Sequence, residues 1–363
     1  MKTPQMEHIA LSVAGKKTTV PIYIGVNIFD EINSIIDLQK YSSVLAIIDK
    51  NVARHWTDRI RKVLGENTFS ITIPSGEKNK TLATAEKIWA TLSKKEFDRK
   101  SLVINIGGGM VCDVGAFAAS TYMRGIDFVQ VPTTLLAQAD AAIGGKTGFN
   151  FNGLKNTIGT FAVPIAIISD TSFLSSLPQR EYRSGFAEII KHAVITGDGL
   201  FDYLLNTNFS SPANRAQYIV PLLEQSTNIK CEIVRKDPYE KKERKKLNFG
   251  HTVGHAIEMA SKGGLLHGEA IALGMIAEAR MSFLSRYLPE NKLRDIENLI
   301  SKAKLPDKIK SLNKIEVLNK ILFDKKNSHH EIKWVFLEDI GNVKVDILLP
   351  DEIIDEGLDY ILK

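Results

Sequence analysis

Four short apolar runs, at residues 44–48, 102–106, 128–131 and 165–168, are separated by segments with helical periodicity such as 81–95. Strands that are apolar on both faces and alternate with helices belong in a sheet covered on both sides. That pattern restricts the first half to a mostly parallel, Rossmann-like α/β sheet. An alternating hairpin precedes it, with Ile9, Leu11 and Val13 on one arm and Val20, Ile22 and Ile24 on the other. After Leu177 and Pro178 the texture changes, because 180–192, 213–234, 251–261 and 267–287 carry helical spacing with few β-branched runs. A late hairpin around Gly341 and Asn342 is the exception. The expected organisation is an α/β domain over 1–178, a mainly α-helical domain over 179–363, and an active site in the cleft between them.

Composition narrows the function classes. The 363 residues carry 47 Lys and Arg against 42 Asp and Glu with the signs interspersed, which fits an enzyme with an anionic small-molecule ligand better than a nucleic-acid binder. The one dense basic run, 241–246, is interrupted by Glu243 and reads as a solvated helix end. Cys112 and Cys231 lack the spacing of a metal or redox motif, which suits a reducing cytoplasm. No apolar run is long enough to cross a bilayer, so no membrane association is expected.

Two motifs point to a nucleotide. Gly107, Gly108 and Gly109 follow a buried-type strand, where glycines let backbone N–H groups approach a phosphate and the next helix adds its positive end. Asp49 and Asn51 follow another strand, where a carboxylate can accept from ribose hydroxyls or simply cap a helix. The run Gly144, Gly145, Lys146, Thr147 is not a P-loop, since Asp140 stands where that motif needs glycine.

The second half holds a candidate metal set. His251 and His255 are four apart and share one helical face, and His267 opens the next helix. Glu188 on an earlier helix completes a carboxylate and imidazole set that leaves a coordination position open, as a catalytic divalent site requires. His192, one turn after Glu188, is a rival ligand that spacing alone does not remove. Lys146, Lys155, Lys191, Lys230 and Arg244 stand among small or polar residues and are candidates for a doubly anionic substrate, although most lysines are solvated surface.

Together these segments resemble the 3-dehydroquinate synthase family along nearly the whole chain. The resemblance rests on the runs 74–78, 107–113, 131–138 and 144–148, on Lys155 with Asn156, on 185–188 with Lys191, on 247–252 with Gly254 and His255, and on 267–269. It implies that Glu188, His251 and His267 hold Zn2+, with Co2+ as a substitute, and that His255 handles protons beside Lys146, Lys191, Arg244 and Asn248 as catalytic groups. Substrate contacts carried over in the same way are Arg124, supplied across a homodimer interface, and Asp140, Lys146, Lys155, Asn156, Lys191, Lys230, Arg244, Asn248, His255 and one of Lys325 or Lys326. The NAD site carried over is Asp49, Asn51, Glu77, Lys80, Gly108, Gly109, Asp113, Thr133, Thr134, Lys146, Lys155 and Ser176, the last standing where threonine is common. Pro238 and Lys242 depart from the acidic, glycine-containing turn usual in the family. The implied activity is conversion of 3-deoxy-D-arabino-heptulosonate 7-phosphate, a sugar acid phosphate, to 3-dehydroquinate and phosphate in the shikimate pathway. Rival readings are another sugar phosphate cyclase, or a metal-dependent polyol or glycerol phosphate dehydrogenase with net NADH production.

Overall fold

The computed structural model describes residues 5–13, 16–152, 154–207, 218–326 and 332–362, with side chains described from residue 19 and not at 323–326. Its strands are β1 (Gln5–Val13), β2 (Lys16–Gly25), β3 (Val44–Asp49), β4 (Phe69–Ile73), β5 (Leu102–Gly107), β6 (Asp127–Pro132), β7 (Lys146–Phe151), β8 (Leu154–Phe161), β9 (Ala166–Asp170), β10 (Trp334–Asp339) and β11 (Asn342–Ile347). Its helices are α1 (Ile32–Ile35), α2 (Lys50–Leu64), α3 (Leu82–Lys94), α4 (Gly109–Thr121), α5 (Gln179–Thr196), α6 (Gly199–Asn206), α7 (Val220–Lys236), α8 (His251–Ala260), α9 (His267–Leu284), α10 (Glu290–Lys302), α11 (Lys314–Lys326) and α12 (Asp351–Leu362).

The chain divides into two compact units. Met1–Leu177 and Asn214–Pro238 form the first, and Pro178–Ala213 and Tyr239–Lys363 form the second. A single cut after residue 178 is therefore corrected in one respect: the segment carrying α7 returns to the first unit. The reason is local packing, since α7 lies against β1 and β2.

In the first unit a seven-stranded sheet runs in the order β1-β2-β9-β6-β5-β3-β4. Only β1 is antiparallel to its neighbour, pairing Ile9 with Val20 as the alternation requires. The other six strands are mutually parallel. Period-two alternation splits β3 between two cores: Val44, Ala46 and Ile48 pack on one face with Phe29 and Val52, while Leu45 and Ile47 pack on the other with Val103 and Val111. Each fully buried Leu, Ile or Val contributes about 2 kcal/mol through this burial.

The direction of strand addition reverses between β3 and β5, because β4 lies on one side of β3 while β5, β6 and β9 step away on the other. In such sheets the crevice outside the carboxyl ends at the reversal is where ligands bind. Asp49 ends β3 and Gly107 ends β5, so both stand at that crevice.

The second unit is mainly helical, with α8 and α9 packed together and the antiparallel pair β10 and β11 as its strands. The β10–β11 turn uses Gly341 at φ 83°, as a tight hairpin turn demands. Among the described residues no helix is long and apolar enough to cross a membrane.

Candidate NAD and metal sites

The nucleotide candidates of the first unit gather at the carboxyl edge of the parallel sheet. Asp49 caps α2, its Oδ1 accepting from the N–H of Asn51 at 2.7 Å and from the Ser75 hydroxyl at 2.6 Å. Gly108 caps α4 without a side chain, and Gly109 opens that helix. A Cβ at Gly108 would come within 3.0 Å of Thr134 Cγ2, so glycine keeps the loop tight against the residues following β6. Thr133 donates its N–H to Gly107 O at 2.9 Å, which ties the two loops together. The helix start and its exposed amides can take a pyrophosphate.

A polar network extends from this edge. Buried Lys80 lies 2.5 Å from Asp113 Oδ2 and also donates to Asn156 Oδ1. Asn150 joins its neighbours: its Nδ2 donates to Glu77 Oε1 at 2.9 Å, its Oδ1 accepts from Asn156 N at 2.9 Å, and its own N–H donates to Lys80 O at 2.9 Å. Glu77, Lys80, Asp113 and Asn156 are thus brought together through Asn150, which sequence reasoning passed over. The hairpin β7–β8 that carries it was equally unread, because Gly148 opposite Gly159 breaks apolar alternation.

Lys230 on α7 contacts Asp140 through Oδ1 and through the backbone carbonyl, each at 2.6 Å. Lys146 is exposed and Lys155 half-buried on the same hairpin. Arg124 is exposed in the turn after α4 with φ 71°. Ser176 has its hydroxyl engaged, accepting from Trp56 Nε1 at 2.7 Å and donating to Phe173 O at 3.1 Å.

In the second unit Glu188, Lys191 and His192 lie fully inside α5, at 0%, 1% and 0% exposure. The two Glu188 oxygens face different partners. Oε2 pairs with Lys191, whereas Oε1 lies 3.6 Å from His251 Nε2 and 3.4 Å from His267 Nε2. Those separations exceed a good hydrogen bond, yet they match the edge of a tetrahedron of ligands around zinc, about 3.3 Å for bonds near 2.0 Å. One donor nitrogen each from His251, His255 and His267 also falls within a 4.8 Å circle.

The opposite ring nitrogens fix which atom is offered. His251 Nδ1 lies 3.2 Å from Phe249 O, an acceptor, so that nitrogen carries the hydrogen and Nε2 keeps its lone pair. His267 Nδ1 donates to Glu258 Oε2 at 3.0 Å, the outer-sphere carboxylate typical of metal-bound histidine. Glu258 was missed by sequence reasoning, although it follows His251 by seven residues and so shares its helical face.

The two rings are pulled in opposite directions. Burial, then the Lys191 charge, holds His251 well below the ordinary histidine range. Burial also works against the charged form of His267, but the nearby carboxylates of Glu188 and Glu258, the latter hydrogen-bonded to it, outweigh that and raise His267 to about 9. A carboxylate, two or three imidazoles and their outer partners form a donor set that suits a borderline divalent cation such as zinc or cobalt.

In the turn that precedes α8, Arg244 is buried at 3% exposure. Asn248 donates from Nδ2 to Glu240 Oε1 at 2.5 Å across the turn that contains Pro238 and Lys242. Glu240 reaches it in a left-handed conformation, φ 59°. Lys325 and Lys326 end α11, and their side chains lie outside the described residues.

Comparison with known proteins follows the same lines. Residues 70–184 match the family model described as 3-dehydroquinate synthase N-terminal, and 185–327 match the one described as 3-dehydroquinate synthase C-terminal. A 3-dehydroquinate synthase of Ruminiclostridium cellulolyticum is 36% identical over 94% of this chain and 96% of its own. One of Pelagibacter ubique is 40% identical over 92% of this chain and 93% of its own. Among solved structures, a 2-epi-5-epi-valiolone synthase from Streptomyces hygroscopicus subsp. jinggangensis with NAD+ and Zn2+ bound superposes with a TM-score of 0.87, at 25% identity, covering 96% of this chain and 98% of that one.

Proposed function

This chain belongs to the 3-dehydroquinate synthase family, and from that premise we propose that it is a phosphate-eliminating carbon–oxygen lyase. Its reaction converts 3-deoxy-D-arabino-heptulosonate 7-phosphate to 3-dehydroquinate and phosphate. The sequence of events is transient oxidation, phosphate elimination, re-reduction, ring opening and intramolecular aldol closure. We place the enzyme in the cytoplasm as a homodimer, with Arg124 contributed across the dimer interface. The similarity to named 3-dehydroquinate synthases at 36–40% identity, against 25% to the valiolone synthase, supports this substrate over that of another sugar phosphate cyclase.

The observation that carries the reading is the placement of Glu188 Oε1 at 3.4 and 3.6 Å from the Nε2 atoms of His267 and His251. Those three residues are assigned to a divalent cation and the carboxyl edge of the first unit to NAD. A divalent cation there supplies Lewis acidity, and NAD supplies a hydride acceptor that is restored within the same turnover.

The chain's own side chains do the rest. His255, with its ring centroid 5.1 Å from that of His251, holds and passes a proton at its imidazole. Buried Lys191 and Arg244 offer fixed positive charge to anionic groups of the substrate, which stabilises negative charge as it develops. Asn248, held by Glu240, orients a hydroxyl or carboxylate. Lys146, Lys155, Asn156, Lys230 and Asp140 are assigned to the same substrate by family resemblance, together with Lys325 or Lys326. Asp49, Asn51, Glu77, Lys80, Asp113, Thr133, Thr134 and Ser176 are assigned to NAD on the same ground. Of these, Asp49 stands at the topological switch point where a ribose is bound in such sheets.

Purified protein incubated with the heptulosonate phosphate, NAD and zinc is expected to release inorganic phosphate with no lasting rise in NADH absorbance. Steady NADH accumulation matched to turnover would instead identify a dehydrogenase.

A further inference from the structure

A buried carboxylate that the reaction does not use stands beneath the histidine cluster. Glu278 on α9 is 0% exposed, and its partners are backbone amides. Its Oε2 accepts the N–H of Gly250 at 2.7 Å and its Oε1 accepts that of Val253 at 3.1 Å. These are orphan donors at the start of α8, the helix whose first residue is His251.

Gly250 is the N-cap of that helix and has no side chain with which to satisfy them. It cannot be exchanged for a better cap. Its φ is +78°, and a Cβ there would come within 2.5 Å of Met275 Cγ and 2.9 Å of Met275 N. On the facing helix, a Cβ at Gly274 would come within 1.9 Å of Gly250 O. The two helices therefore meet backbone to backbone at this point, and Glu278, one turn beyond Gly274, supplies the cap from outside the helix. Burying a carboxylate is costly, and burial pushes Glu278 up to about 8, with the amides of Gly250, Val253 and Thr252 offsetting only part of that cost.

We infer that Glu278 is a positioning residue for the metal centre: it clamps the first turn of α8 onto α9 and so sets where His251 stands relative to His267. The two ligands belong to the two helices that Glu278 joins, and His251 occupies the first position after the capped glycine. A shift of that turn moves Nε2 of His251 away from Glu188 Oε1, whereas His267, the first residue of α9, stays with α9. This inference rests on the metal reading of the preceding section.

The test titrates metal-free wild type, E278A, E278Q and L299A with Co2+ alone, followed by the visible absorption of the bound ion, with circular dichroism as the check of folding. Leu299 is fully buried on α10, and L299A controls for lost stability that does not act through the clamp. Cobalt binding by E278A is expected to weaken roughly tenfold or more, the scale of losing an outer-sphere support, with E278Q between it and wild type. L299A is expected to bind as wild type. Wild-type cobalt affinity in folded E278A overturns the inference, as does equal weakening in L299A. If neither Glu278 variant folds, amide exchange in metal-free wild type decides: slow exchange at Gly250 and Val253 upholds the clamp and fast exchange overturns it. A wild type that takes up no cobalt defeats the metal reading itself, and the inference with it.

Discussion

In the first unit several charged candidates are already paired: Lys80 with Asp113, Lys230 with Asp140, and Asp49 with the amides of its own helix. In the second unit three imidazoles and one carboxylate converge, and the same surroundings that strip the proton from His251 hold one on His267. The first arrangement is complete as a protein network and presents formed amides and hydroxyls to a ligand. The second is a set of donors in competition, which a divalent cation reconciles because it takes a lone pair from Glu188, His251 and His267. A nucleotide site of this kind is built from backbone and paired charge, while a metal site is built from a conflict among titratable groups.

The largest expected effect separates the two regions. H251A should lower turnover by roughly a thousandfold or more, the scale of removing a main electrostatic element, and should abolish metal uptake. NAD affinity measured on the same protein should be retained, and its loss would show that the two regions are not independent. Next in size, K80A leaves Asp113 beside an empty place in a partly buried network. Its unfolding free energy in a denaturant titration should fall by about 3 kcal/mol, with NAD binding weakened and metal binding unchanged.

The proton conflict predicts a third effect. His267 is protonated below about 9 in the metal-free chain, so a cation must displace that proton. Metal affinity should fall about tenfold for each pH unit below that value, and calorimetry in buffers of different ionisation enthalpy should find close to one proton released at neutral pH. His251 is already neutral and contributes none. The stability linkage has the opposite sign. The raised His267 stabilises the metal-free fold fully below its ordinary value of 6.5, and that stabilisation is lost as pH rises through about 9. The smallest effect belongs to S176A, which removes the acceptor of the Trp56 indole and should cost about 1 kcal/mol in thermal or denaturant unfolding.

Much of this comparison was legible in the chain. The runs that became β3, β5, β6 and β9 are apolar on both faces because both faces are covered, and the 251, 255 spacing put two imidazoles on one helical side. Strand β4 was not read, since its burial alternates weakly and Phe69 is exposed at 38%. The return of α7 to the first unit was not read either, because helical spacing reports that a face is buried and says nothing of which neighbour buries it. Glu278 and Asn150 share that difficulty: each acts on backbone amides or on residues distant in sequence, and neither carries a local motif. Ser176 shows the converse, a residue assigned by resemblance whose hydroxyl the fold already employs between Trp56 and Phe173.

The most direct test of the metal centre is a zinc-edge anomalous difference map from a crystal of the zinc-loaded protein. The account predicts one strong peak in contact with Glu188 Oε1 and the Nε2 atoms of His251 and His267. A peak coordinated by other side chains, with those three atoms left bare, would contradict it.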